Sequence, residues 1–230
     1  AALVLCFYLL SMTLAPYAAA LARGVLWAGF AAQLCLVVVL VHQLLTGPAE
    51  QRRVTPVWHL SYVGFVIGAL AATVFEFYLA ALSLFAVTAL LAAFIWAASA
   101  EQMLKESVPA ALRPLLAIHL APLALFGLVA HALELDAVAL GCAGIAALAM
   151  LWFVVRARWL TEAGFSALWG AFTFPAAATA NLWLSLGGVW RVPGGVALVA
   201  ATLLVLPIGW KVIALWARGQ LAVRTNAATA

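Results

Sequence analysis

The sequence predicts an all-α integral membrane protein with eight transmembrane helices arranged as four hairpins. Three observations carry that expectation. Of its 230 residues, 69% are hydrophobic and 8% are charged, with a mean hydropathy of +1.20, which no ordinary soluble domain approaches. The apolar residues fall into eight stretches of about twenty residues, the length at which a helix crosses a hydrocarbon core. The breaks between the stretches are short or polar, as hairpin connections are.

Taken in order, the first span, 1–20, carries Ser11, Thr13 and Pro16 and gives way to Arg23. The second, 24–46, contains the run "LCLVVVLV" and stops at Gly47-Pro48, ahead of Arg52 and Arg53. The third, 56–75, holds His59, Ser61 and Gly64 and ends at Glu76. The fourth, 77–99, is "LAALSLFAVTALLAAFIWAA" for most of its length and is followed by the amphipathic "AEQMLKESVPAALR". His119 and Pro122 lie in the fifth, 113–132, which "ELD" closes. The sixth, 137–156, leads into "RARWLTEAG". The seventh, 165–187, contains Thr173, Pro175, Thr179 and Asn181 and ends in "GGVWRVPGG". The eighth, 194–217, is apolar except for Lys211 and is interrupted by Pro207.

Polar and helix-disturbing residues therefore collect in the odd spans, and the even spans are nearly uniform. Disturbed backbone at membrane depth is tolerated where protein or a water-filled cavity covers it, not where lipid does. The odd spans are expected to be inner and the even spans outer. Pro175 should deprive the carbonyl of Ala171 of its usual donor, so an interior supplying hydrogen bonds is expected around it. Pro122 and Pro175 are 53 residues apart, about one hairpin, the period of a repeated unit. Gly64, Gly68 and Ala178 read as small residues that let helices approach closely.

Basic residues set the orientation. With the C-terminus cytoplasmic, the inner side holds Arg52, Arg53, Lys105, Arg113, Arg156, Arg158, Arg218 and Arg224, and the outer side only Arg23 and Arg191. Lys211, two turns before Arg218, can extend toward the inner surface. A net charge of +4 without a basic patch excludes a nucleic-acid partner. Cys6, Cys35 and Cys142 show neither disulfide nor zinc spacing. His42, His59, His119 and His131 are too scattered for a haem. Paired carboxylates and a nucleophile with a base are missing, so neither an enzyme nor a bound cofactor or metal is expected. No acidic residue lies deep in an odd span, which argues against a cation pathway.

Four stretches together, "TPVWHLSYVGFVIGALA" (55–71), "LRPLLAIHLAP" (112–122), "SALWGAFTFPAAATANLWL" (166–184) and "ARGQLAVRT" (217–225), resemble the tellurite-resistance/C4-dicarboxylate transporter family, which includes the slow anion channels of plant guard cells. The resemblance covers nearly the whole chain. It implies five helical hairpins in quasi-fivefold symmetry around a central pore, in homotrimers with one pore per subunit. The family has ten spans and this chain matches the last eight, so the first hairpin is expected to be absent. In that fold the disturbed inner spans line the pore, with Pro16, Ser61, His119, Pro122, Thr173, Pro175 and Thr179 on its wall and Arg53, Arg113 and Arg158 at a basic inner mouth. The family's occluding phenylalanine matches Phe174.

From the residues alone, Phe174 reads as a packing residue, and the resemblance makes it a gate. His119 reads either as a histidine hydrogen-bonded to a neighbouring helix or as a pore or proton-coupling group. The expected function is a plasma-membrane channel or facilitator for small anions. The alternative is a proton-coupled dicarboxylate or tellurite-related carrier.

Overall fold

The computed structural model describes residues 1–48 and 52–221, so Arg224 and the end of the closing motif, 222–225, lie outside the described residues. The described residues are predominantly helical, with no strand among them. The α-helices are α1 (Ala2–Leu14), α2 (Ala19–Thr46), α3 (Phe65–Val74), α4 (Tyr78–Lys105), α5 (Leu120–Ala132), α6 (Asp136–Val155), α7 (Ala157–Leu160), α8 (Thr173–Leu186) and α9 (Arg191–Ala217). A π-turn, His59–Val63, precedes α3, and 3₁₀ runs precede α5 (Ala110–His119), α8 (Ala167–Phe172) and α9 (Gly188–Trp190).

Two kinds of segment alternate. α2, α4, α6 and α9 are continuous and bury only a narrow seam: Ala22, Leu26, Gly29 and Gln33 in α2, and Gly194, Ala201, Ile208 and Leu215 in α9. Small residues on such seams let backbones approach where no hydrophobic driving force exists between helices. The remaining faces expose large apolar side chains, including Leu90, Leu148, Leu203 and Trp210, each 70% exposed or more. In water that would be untenable; against lipid it is the expected surface. The segments with polar or proline residues are shorter or interrupted. Their burial differs accordingly: 72% of the apolar window in 110–132 is buried, against 11% to 22% in the continuous helices. Five described helices, counting 110–132 as one, are long and apolar enough to cross a membrane.

The chain divides into two compact units. The first comprises residues 1–102 and 129–136. Within it α1 packs on α2, α3 and the π-turn, through Leu5, Tyr8 and Ser11 on one face. The Ser11 hydroxyl donates to the carbonyl of Ala22 at 2.9 Å, tying α1 to α2. α3 and α5 end in the same way. Glu76 and Glu134 both adopt a left-handed φ, 61° and 59°. The next N–H reaches back to Ala72 at 3.0 Å in one case and Ala130 at 2.8 Å in the other. This is a Schellman ending, and it occurs in both "VFEFY" and "ALELD".

The second unit comprises residues 103–128 and 137 onward. Here α8 packs along α9, and the 3₁₀ runs 110–119 and 167–172 pack on each other. Contacts are close: a Cβ on Gly194 would sit 2.9 Å from the Leu184 nitrogen, and one on Gly127 2.6 Å from Leu182. The Trp183 indole donates to the carbonyl of Ala143 at 3.3 Å, tying α8 to α6.

Candidate functional site

In the first unit the interruption is the π-turn at His59–Val63, which contains Ser61, buried. A π-turn shifts the hydrogen-bond ladder by one residue and leaves carbonyls short of donors. The donor comes from another helix. Gln33 of α2, fully buried, donates through Nε2 to the carbonyl of Ser61 at 2.5 Å and lies 3.5 Å from that of Leu60. Gly64 is what makes room, since a Cβ there would meet Leu5 and the Leu60 oxygen at 2.6 Å and Gln33 Nε2 at 3.1 Å. Gly68 is equally tight, 2.6 Å from Phe30, which bears out the packing role expected of both glycines. Pro16 falls in the turn between α1 and α2 and is exposed. It ends a helix and does not bend one. Arg53, also exposed, follows α2 by a few residues.

The second unit handles its interruptions with proline. Pro122 is the third residue of α5 and Pro175 the third of α8, each directly after a 3₁₀ run and each buried. In the first turn of an α-helix the N–H has no partner to lose, so proline is accommodated there. The need for outside hydrogen bonds around Pro175 therefore does not arise: α8 begins at Thr173, and Ala171 belongs to the preceding 3₁₀ run. The threonines are self-contained too. Thr173 donates to the carbonyl of Gly170 at 2.7 Å and Thr179 to that of Pro175 at 2.8 Å. His119 is the last residue of the run 110–119 and is half-buried.

Phe174 is the second residue of α8 and half-buried. Phe172, Pro175 and Ala176 line an apolar cavity of about 260 Å³ against α6 and α9, and Phe174 does not. A helix turns about 100° per residue, so Phe174 points away from that cavity. Ala177 and Asn181, three and four positions on in turn, continue its face and are exposed. α8 is therefore buried along Pro175, Thr179 and Leu182 and open along Ala177 and Asn181, with Phe174 half-buried at the edge of that open face.

The basic residues of the second unit do not behave alike. Arg113 is largely covered and fully engaged: it donates to the carbonyls of Val108 at 3.1 Å and Trp159 at 3.3 Å and pairs with Glu162. Its guanidinium also lies 4.5 Å from the Trp159 ring centre. It clamps the 3₁₀ run to α7 and the turn after it. Arg156, 4.9 Å from the same ring, and Arg158 are exposed. Among the described residues no group of three or more His, Cys, Asp or Glu side chains could hold a metal ion. The cysteines are free.

The family model described as SLAC1, voltage-dependent anion channel, matches residues 1–217. The chain belongs to the SLAC1 family. It is the family to which the four stretches pointed, and its members are channels and transporters. No curated protein matches the chain. As a SLAC1-family protein it is a multi-pass membrane protein of an anion-transporting family.

Sequence reasoning overlooked Gln33. The signal was present, because Gln33 is the one amide in the run from Gly24 to Val41, and a lone polar residue inside an apolar helix has a partner to satisfy. It also overlooked the Trp159–Glu162 stretch, the end of α7 and the turn after it, that engages Arg113 and that no spacing in the sequence announces.

Proposed function

We propose that this SLAC1-family chain is a channel or facilitator for small anions, gated by Phe174. The observation that carries the reading is the open face of α8, headed by Phe174 on a segment whose other side is packed. A phenyl ring on such a face can close a narrow apolar tube by volume and by dewetting, without any charge. The interrupted segments form the inner layer and the continuous helices the lipid-facing one. The eight segments make four hairpins of a ten-helix, quasi-fivefold bundle, assembled as a homotrimer in the plasma membrane with the C-terminus cytoplasmic. Exposed Arg53 and Arg158 raise the local anion concentration at the inner mouth by focusing, whereas Arg113, being paired, contributes mainly to the fold.

One observation favours a second reading, a proton-coupled carrier of dicarboxylate or tellurite-related substrates. His119 stands half-buried at the junction of the 3₁₀ run and α5, where a titrating group could couple to a backbone that changes form. Anion flux into reconstituted vesicles, with and without a pH gradient, separates the two. Flux that follows membrane potential and ignores the proton gradient supports the channel. Obligate proton dependence replaces it with the carrier.

A further inference from the structure

The cavity in the second unit lies on the face of α8 away from Phe174. Its walls are Phe153 and Val154 of α6, Ala157 and Leu160 of α7, Phe172, and Leu204 of α9, among others. The one hydroxyl in the lining, on Thr161, is committed to the carbonyl of Ala157 at 2.8 Å. A water held there would find too few polar partners, and an empty space would forfeit the dispersion contacts of its walls. Only an apolar occupant fits.

Basic residues stand beside two of its walls. The α7 residues that line it are flanked by exposed Arg156 and Arg158. On the α9 side Lys211 lies two turns beyond Leu204, its Nζ 4.8 Å from the Phe165 ring centre. Phe165 in turn meets Trp169 edge to face at 5.4 Å, and Trp169 meets Phe172 the same way at 6.1 Å. Both Trp169 and Phe172 line the cavity, so an aromatic ladder joins the lysine to the apolar chamber. The nearby carboxylate, Glu162, is already neutralised by Arg113. An apolar slot with exposed arginines beside its α7 wall and a lysine joined to its aromatic wall matches a molecule with an alkyl tail and an anionic head.

We propose that the second unit binds an anionic phospholipid from the leaflet at its basic face, one acyl chain lying in the cavity and the phosphate held by Arg156, Arg158 and Lys211. The site does not depend on what the protein transports. Juxtamembrane cations attract anionic lipid individually, and long basic side chains reach the headgroup level from within a helix. The aromatic rings of Trp159 and Phe165 hold two of these cations in place by cation–π contact.

Native mass spectrometry of the purified chain, with phosphatidylglycerol or phosphatidylcholine of matched acyl length added, tests the proposal. Phosphatidylglycerol should be retained preferentially, and each of Arg156→Gln, Arg158→Gln and Lys211→Gln should reduce that preference by about fivefold. Ala157→Phe, which fills the slot from an exposed position, should lower retention of both lipids. Dihexanoyl phosphatidylglycerol and inorganic phosphate, which offer the anion without a long tail, should not compete on the unmodified protein. Equal retention of the two long-chain lipids overturns the site. So does a headgroup preference that survives the triple substitution, or competition by inorganic phosphate, which would make it a plain anion site.

Discussion

The first and second units interrupt their helices at membrane depth by different means. In the first, the π-turn at His59–Val63 takes its missing donor from another helix, through Gln33, and a glycine at position 64 is needed to admit it. In the second, the 3₁₀ runs end in α-helices whose third residue is proline, and Thr173 and Thr179 bond to their own chain. A borrowed donor couples two helices, and a hydroxyl bonded within its own segment couples none. The first arrangement fixes the third segment to α2. The second leaves one face of α8 uncommitted, and that face carries Phe174. Irregular backbone is thus not one feature but two, and only the self-contained kind leaves a surface for another task.

The largest expected effect tests the borrowed-donor arrangement at its tightest point. Gly64→Ala puts a methyl 2.6 Å from a backbone oxygen that cannot swing aside, and overpacking of this kind costs about 3 kcal/mol. Gly170→Ala, in the 3₁₀ run before α8, meets nothing within 4 Å and should change stability by less than about 0.5 kcal/mol. Thermal unfolding in detergent measures both. Equal effects would erase the distinction between the units.

Next in size is the donor itself. Gln33→Leu leaves the carbonyl of Ser61 buried without its partner, at a cost of about 2 kcal/mol. Thr179→Val removes a bond from a hydroxyl to a carbonyl of its own helix, and should cost less than about 1 kcal/mol. A Gln33→Leu protein as stable as the parent would show that the π-turn stands without α2.

How much of this was legible follows from what a sequence displays. The alternation of disturbed and continuous segments was legible because Pro, Ser, Thr and His stand out in an apolar background. The kind of disturbance was not. Pro175 read as a break in the middle of a span, because no residue announces that Ala167–Phe172 winds as a 3₁₀ helix and that α8 starts two residues before the proline. Arg113 read as a mouth cation because its partner, Glu162, lies 49 positions away. Tertiary pairing decided both, and tertiary pairing is what a single sequence withholds.

The gate prediction sharpens the comparison further, because it asks whether the uncommitted face is used. Phe174→Ala should raise anion conductance by about tenfold, the factor that corresponds to holding a side chain off its rotamer. Phe174→Leu should raise it less. Phe172→Ala, two positions away on the cavity face, should leave conductance near the parent value. Equal gains at 172 and 174 would mean that helix loosening, not pore opening, is being measured, and no gain at 174 would return that residue to packing.

The smallest expected effect is at His119. If the second unit's breaks are self-contained, the junction where α5 begins holds its shape without a titrating group, and the imidazole acts only as a hydrogen-bonding side chain. A glutamine amide offers a donor and an acceptor at comparable reach. His119→Gln should therefore fold normally, and its anion flux should vary by less than about twofold between pH 5 and pH 8, as in the parent. The measurement is potential-driven uptake into vesicles at symmetrical pH, followed by the same assay with a pH gradient. A parent protein whose uptake requires the gradient, and a well-folded His119→Gln that loses that requirement, would place a proton at this junction. The two units would then differ in chemistry as well as in backbone, and the carrier would displace the channel.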